Sequence, residues 1–137
     1  MYICTIHKPK DIALERERMP FHEKLLVAKQ ACIVECRELI SSNWENIVLW
    51  LPSEAQNEFF IVYTGKFRAE FPGRITNAIR DKLYFAVQNL IFAMNAFMFY
   101  TEGYELEDVL DFAECFINAQ LDNFESWCED DDILEVE

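Results

Sequence analysis

Glycine and proline are scarce in this chain of 137 residues, which has three glycines and four prolines. Loop-rich all-β folds need more of both residues, and phosphate-binding loops need glycines that lie close together. Gly65, Gly73 and Gly103 stand far apart, which excludes a dinucleotide-binding fingerprint and a Walker loop. The composition therefore favours helices.

Basic residues are absent after Lys82. Residues 1–82 hold all 12 lysines and arginines and carry a net charge of +1, whereas residues 83–137 hold 14 acids and carry −14. A chain of formal charge −13 lacks the basic footprint of a nucleic-acid binder, so direct nucleic-acid binding is not expected. With 52% hydrophobic residues it is too apolar for a disordered polyanion. We expect a single helical domain over residues 1–128 and an acidic C-terminal tail over residues 129–137.

Signals for secretion and for disulfide bonding are missing as well. The first residues lack the charged start and apolar core of a secretory signal peptide. Five cysteines are an odd number, in a chain long enough to fold without disulfides. These features predict free thiols and a cytoplasmic location.

The first 43 residues contain one clear amphipathic pattern. Residues 2–6 have the composition of a short strand, and residues 11–19 that of a short helix ending before Pro20, because the residue before a proline avoids the helical region. A second helix is predicted from Pro20 to about residue 41. Its apolar stripe, with steps of three and four, is Phe21, Leu25, Ala28, Cys32, Cys36 and Leu39.

Residues 44–71 leave two interpretations open. Segments 46–51 and 59–64 are rich in β-branched and aromatic residues, which suits a hairpin and would make the fold α+β. The aromatic residues from Phe59 to Phe71 also recur at helical intervals, and Ser53 precedes Gln56 with the spacing of a capping box. We favour helices, and hence an all-α compact bundle of about five helices.

Residues 83–100 form the most apolar segment of the chain, with Gln88, Asn89 and Asn95 as the clearly polar members. A helix that is apolar on every side must be covered on every side. Because the segment contains three amides and the other helices offer apolar faces, we expect a central core helix rather than a membrane span. A surface for self-association, and hence a homodimer, is the alternative.

The last predicted helix, over residues 104–128, has the clearest pattern. Its apolar residues fall in an arc of about 140° and its acids in a separate arc of about 120°. Neighbouring acids on this face repel one another, at a cost of roughly 1–2.5 kcal/mol in all, and no base in the same segment relieves them. We therefore expect an open acidic face that binds a partner. The candidate partner-binding residues are Asp108, Asp111, Glu114, Asp122, Glu125, Glu129, Asp130, Asp131 and Asp132.

No motif supports catalysis, a metal site or a cofactor. Cys32 and Cys36 lie one helical turn apart on an apolar stripe, which predicts buried thiols rather than metal ligands acting with His22 or Cys115. Neither a His-Glu-x-x-His motif nor a Gly-x-Ser-x-Gly elbow occurs. We expect a protein that is not an enzyme.

Two functions fit these observations. The first is a small acidic inhibitor, of the kind represented by immunity proteins, antitoxins and nucleic-acid mimics, that covers the basic surface of a nuclease or other nucleic-acid-binding protein. The second is a helical adaptor or self-associating protein that acts through hydrophobic helix contacts. An enzyme with a small-molecule site between helices has only compositional room in its favour.

Overall fold

The computed structural model describes the backbone of residues 9–136 and the side chains of residues 20–131. Within residues 9–136 there is no strand, so the predicted all-α bundle is confirmed and the hairpin alternative is wrong. The strand expected at residues 2–6 lies outside the described residues. The helices are α1 (Pro9–Ser42), α2 (Ile47–Ser53), α3 (Ala55–Glu70), α4 (Asn77–Tyr100), α5 (Leu106–Leu121) and α6 (Phe124–Val136), with a 3₁₀ turn at Trp44–Asn46.

Four long helices form the body of the bundle. Helix α1 packs against α3 and α5, and α4 packs against the same two helices, so α1 and α4 lie at opposite corners. The short helix α2 packs on α3 and α4, and α6 packs on α4. Each long helix therefore buries one face and leaves another exposed.

Helix α1 continues through Pro20, so the predicted break before this residue is wrong. Proline lacks the N–H that would bond to the carbonyl of Arg16, and an interior proline costs a helix about 3 kcal/mol. The hydrogen bonds of the helical turns on both sides outweigh this cost. Pro20 is exposed, so its ring displaces no packed side chain. The predicted stripe is buried as expected at Leu25, Ala28, Cys32 and Cys36.

The ambiguous stretch at residues 44–71 folds as the 3₁₀ turn, α2 and α3. The capping box predicted from Ser53 and Gln56 is wrong. Ser53 is the last residue of α2, and its hydroxyl donates to the carbonyl of Leu49 at 2.7 Å. Helix α3 follows so closely that the N–H of Glu54 still bonds to the carbonyl of Trp50, at 2.9 Å. The N-cap residue of α3 is thus hydrogen-bonded to the preceding helix.

Helix α4 lies between two turns that need glycine. Gly73 and Gly103 have φ values of 80° and 69°, a conformation that strains residues with a Cβ. At its start, the hydroxyl of Thr76 accepts a hydrogen bond from the N–H of Ile79, at 3.3 Å. Both ends of the helix are therefore fixed by local sequence.

The expectation that α4 is buried on all sides is wrong. Its inner face is fully buried at Leu83, Leu90 and Met94, but the outer face is open to solvent. A corner position in a four-helix bundle covers only half of a helix, however apolar the rest is. By length and composition α4 is the one helix described within residues 9–136 that could span a membrane, and its inner face here packs on α3 and α5.

The single helix predicted over residues 104–128 is two helices, α5 and α6, separated at Asp122 and Asn123. The N–H and the side-chain amide of Asn123 both bond to the carbonyl of Gln120, at 3.2 Å each, which ends α5. The break lets Phe124 enter the core, where its ring centroid lies 4.6 Å from that of Phe67. Helix α6 then continues to Val136, through most of the residues assigned to the acidic tail.

Candidate functional site

The acidic face of α5 begins with a carboxylate that caps its own helix. Asp108 accepts a hydrogen bond from the N–H of Glu105 at 2.9 Å, and the Glu105 side chain accepts one from the N–H of Asp108. This capping box satisfies two backbone donors at the helix start. Asp108 therefore has a structural role, although its side chain lies at the exposed surface.

The next two acids meet a base from α1. Arg37 Nη1 lies 3.1 Å from Glu114 Oε1 and 3.7 Å from Asp111 Oδ1. Helices α1 and α5 run antiparallel, so bases earlier in α1 meet acids later in the chain. The side chains of Asp111 and Glu114 nevertheless remain 75% and 51% exposed.

Lys29 and Asp122 form the ion pair at the end of α5. The Lys29 side chain is only 10% exposed, whereas that of Asp122 is 59% exposed. A buried ammonium group needs an anionic partner, because desolvation without compensation is costly. Asp122 therefore serves the packing of α1 as well as the charge of the surface.

Two acids of α6 also contact other parts of the chain. Glu125 Oε1 lies 3.1 Å from His22 Nε2 on α1. Asp131 is 93% buried, since only 7% of its surface is exposed, and it accepts a hydrogen bond from the Thr76 hydroxyl at 2.8 Å. Thr76 caps α4, so the Asp131 carboxylate lies at the positive end of that helix dipole.

We name the contacts of His22, Lys29 and Arg37 with the acids of α5 and α6 the α1 seam. The seam shows that bases of α1 reach this face, but the face stays open, since the side chains of Asp111, Glu114 and Asp122 are 75%, 51% and 59% exposed. Periodicity within one helix cannot reveal which neighbour lies beside it, and here the neighbour is α1. Of the other candidate acids, Glu129 and Asp130 are exposed, and the side chain of Asp132 lies outside the described residues.

A different surface stands out on α4. Phe85, Phe92 and Phe99 are 60%, 77% and 80% exposed, and each lies seven residues from the next. Spacing of seven places side chains on one stripe of a helix. We name these three residues the α4 aromatic face. From the sequence, an exposed surface over residues 83–100 is only the alternative to a core helix, although the seven-residue repeat of phenylalanine is a visible signal for it.

A groove runs beside the C-terminal half of this face. Its volume is about 490 Å³, and its walls include Val48 of α2, Phe99 of α4 and Tyr104 of the following turn. Val48 and its neighbour Leu49 are 63% and 74% exposed. The aromatic face and the groove together form a continuous uncharged surface.

The interior chemistry is that of a packed core. Cys32 and Cys36 are fully buried, and burial raises the pKa of Cys32 to about 12 and that of Cys36 well above its usual value. This confirms the prediction of buried thiols. Among the described residues, no group of three or more His, Cys, Asp or Glu side chains is placed to hold a metal ion.

A second groove, of about 540 Å³ between α1 and α3, includes the ion pair of Glu35 with Lys66 at 3.2 Å.

Comparison with known proteins gives no match: neither a family model, nor a curated protein, nor a solved structure is similar to this chain. The class defined by the structure is an all-α helical bundle with one paired acidic surface and one exposed aromatic surface.

Proposed function

We propose that this chain is a helical interaction protein that binds an apolar helix along the α4 aromatic face. The observation that carries the proposal is the exposure of Phe85, Phe92 and Phe99 on one stripe. Covering a phenylalanine side chain releases about 1.5–3 kcal/mol. Contiguous exposed apolar surface on a folded domain marks interaction sites, and aromatic residues are common binding hot spots.

The spacing of the phenylalanines supports a helix as the partner. Phenylalanines at every seventh position, with the amides Gln88 and Asn95 between them, supply one of the two positions per heptad that form the seam between two helices packed side by side. Residues 83–100 contain no charged side chain, so the surface offers nothing to attract an anionic lipid headgroup. The chain's net charge of −13 opposes approach to an anionic membrane.

We keep the acidic inhibitor as a second proposal, which has less support than binding along the α4 aromatic face. The exposure of Asp111, Glu129 and Asp130 favours it, because exposed carboxylates can still meet a basic partner. The α1 seam weakens it, since the bases of α1 partly neutralise the surface that such a partner would need.

Site-specific photo-crosslinking in cells that express the full chain tests both proposals. A benzoyl-phenylalanine replaces Phe85, Phe92 or Phe99 in turn, with exposed Asn57 on α3 as the control position. We expect the three α4 positions to label one helix, with labelled residues about seven apart. Labelling no stronger than that from position 57 would overturn the first proposal. Labelling of a basic protein from Asp111 or Asp130 would support the second, and its absence would contradict it.

A further inference from the structure

We propose that the helix bound by the α4 aromatic face is α4 of a second copy of this chain, packed antiparallel about a two-fold axis at Phe92. This inference rests on the proposed function. The three phenylalanines are symmetric about Phe92, so the axis places Phe85 of one copy level with Phe99 of the other. A two-fold interface must be self-complementary in this way.

Charge selects the antiparallel direction. The N-terminal end of α4 carries exposed Arg80 and Lys82 with one acid, Asp81, whereas the turn after α4 carries exposed Glu102 and Glu105. Antiparallel packing about Phe92 places this end of one copy, with a net charge of +1 from two bases and one acid, beside the acidic turn of the other copy. Parallel packing would bring like ends together, and like charges across an interface oppose association.

The polar residues of the stripe also match. About the same axis, Gln88 of one copy lies one residue along the helix from Asn95 of the other, so two amides meet that can donate to and accept from each other. The groove beside Phe99 is open and apolar, and it lies where Phe85 of the second copy arrives. Between Phe85 and Phe99 the dimer would thus cover the stripe without burying a charged side chain.

Sedimentation equilibrium of the purified chain tests the pairing. We expect a dimer that Phe92→Glu disrupts, because two carboxylates then meet at the axis, while Ile61→Glu leaves it unchanged. Ile61 is a matched control, being 60% exposed on α3. Lys82→Glu, which reverses the net charge of the basic end, should raise the dimer Kd by about 3- to 30-fold. A chain that stays monomeric at about 100 µM would overturn the inference.

Disulfide trapping tests the direction, in a chain whose Cys4 and Cys115 are replaced by serine. Antiparallel packing predicts that Phe92→Cys links to itself, and that Phe85→Cys links to Phe99→Cys when the two variants are mixed. Self-linking of Phe85→Cys and of Phe99→Cys, without the mixed product, would show parallel packing and overturn the inference.

The same experiments distinguish two other partners of the α4 aromatic face, namely a different protein and a membrane. Photo-crosslinks from Phe92 that map to a different protein, with a monomeric purified chain, would overturn the second copy and leave the proposed function standing. Flotation of monomeric wild-type chain, but not of Phe92→Glu, with phosphatidylcholine vesicles would assign the face to a membrane and overturn both.

Discussion

Lys29 of α1 and Asp122, in the turn between α5 and α6, form an ion pair that joins the first long helix to the acidic end of the chain. Its ammonium group is almost fully buried, and its carboxylate is largely exposed. In the sequence Asp122 looks like a free binding group, but in the structure its carboxylate is part of the fold.

Asp122→Asn is expected to lower the free energy of unfolding by about 1–2 kcal/mol, because Lys29 then keeps a buried charge without a carboxylate. Exposure of Asp122 keeps the loss below that of a fully buried pair. The control is Glu129→Gln at an exposed position, expected to change stability by less than about 0.5 kcal/mol. Urea unfolding at pH 7, followed by tryptophan fluorescence, measures both. Equal effects of the two substitutions would contradict a structural role for the pair.

The buried contact of Tyr63 with Gln120 gives a second prediction. The Tyr63 hydroxyl donates to Gln120 Oε1 at 3.0 Å, and Gln120 Nε2 donates to the carbonyl of Ala86 at 2.6 Å. Gln120→Met leaves the Tyr63 hydroxyl buried without this acceptor, at an expected cost of about 1–3 kcal/mol. Adding Tyr63→Phe should recover part of that loss, because the orphaned hydroxyl is removed. Chemical unfolding of the two single variants and the double variant gives the coupling energy between Tyr63 and Gln120. Strictly additive losses would show that the two side chains are not coupled.

Stability is expected to fall at alkaline pH. The pKa of Cys32 is raised from 9.0 to about 12 by burial, so the folded chain keeps a thiol proton that the unfolded chain releases above pH 9. Stability from this group is complete below pH 9 and falls by up to about 1.4 kcal/mol per pH unit above it. Burial also raises the pKa of Cys36 and of Tyr63, so ionisation of these groups also lowers the free energy of unfolding at alkaline pH.

Urea unfolding at pH 8, 9 and 10 under reducing conditions measures this dependence. Cys32→Ala should reduce the loss in the free energy of unfolding per pH unit by the contribution of one thiol. Cys115→Ala, at an exposed position, should leave the slope as it is in the parent chain. A slope that is the same in all three proteins would show that ionisation of Cys32 does not limit alkaline stability.

Pro20→Ala tests the continuity of α1. The substitution supplies the N–H missing from the helix at an exposed position, and we expect it to raise the free energy of unfolding by about 1–3 kcal/mol. Circular dichroism should show no loss of helix. A fall in stability would contradict an uninterrupted helix at this point, because proline is more favourable than alanine only in turns and in the first turn of a helix.

Much of the fold follows from local patterns in the sequence. The three- and four-residue steps of the α1 stripe predicted which side chains are buried, because helix periodicity and hydrophobic burial act on the same residues. Local geometry also misled: Pro20 does not end α1, and Ser53 does not cap α3, since hydrogen bonds of neighbouring turns and helices decide both.

The sequence by itself favoured the helical class and predicted the buried thiols of Cys32 and Cys36. Only the tertiary structure decided which surfaces remain open, because exposure depends on which helix packs beside which. Packing of α1 against α5 brings Lys29 and Arg37 to acids 74 to 93 positions away in the chain. The corner position of α4 leaves Phe92 in solvent, although its segment is the most apolar in the chain.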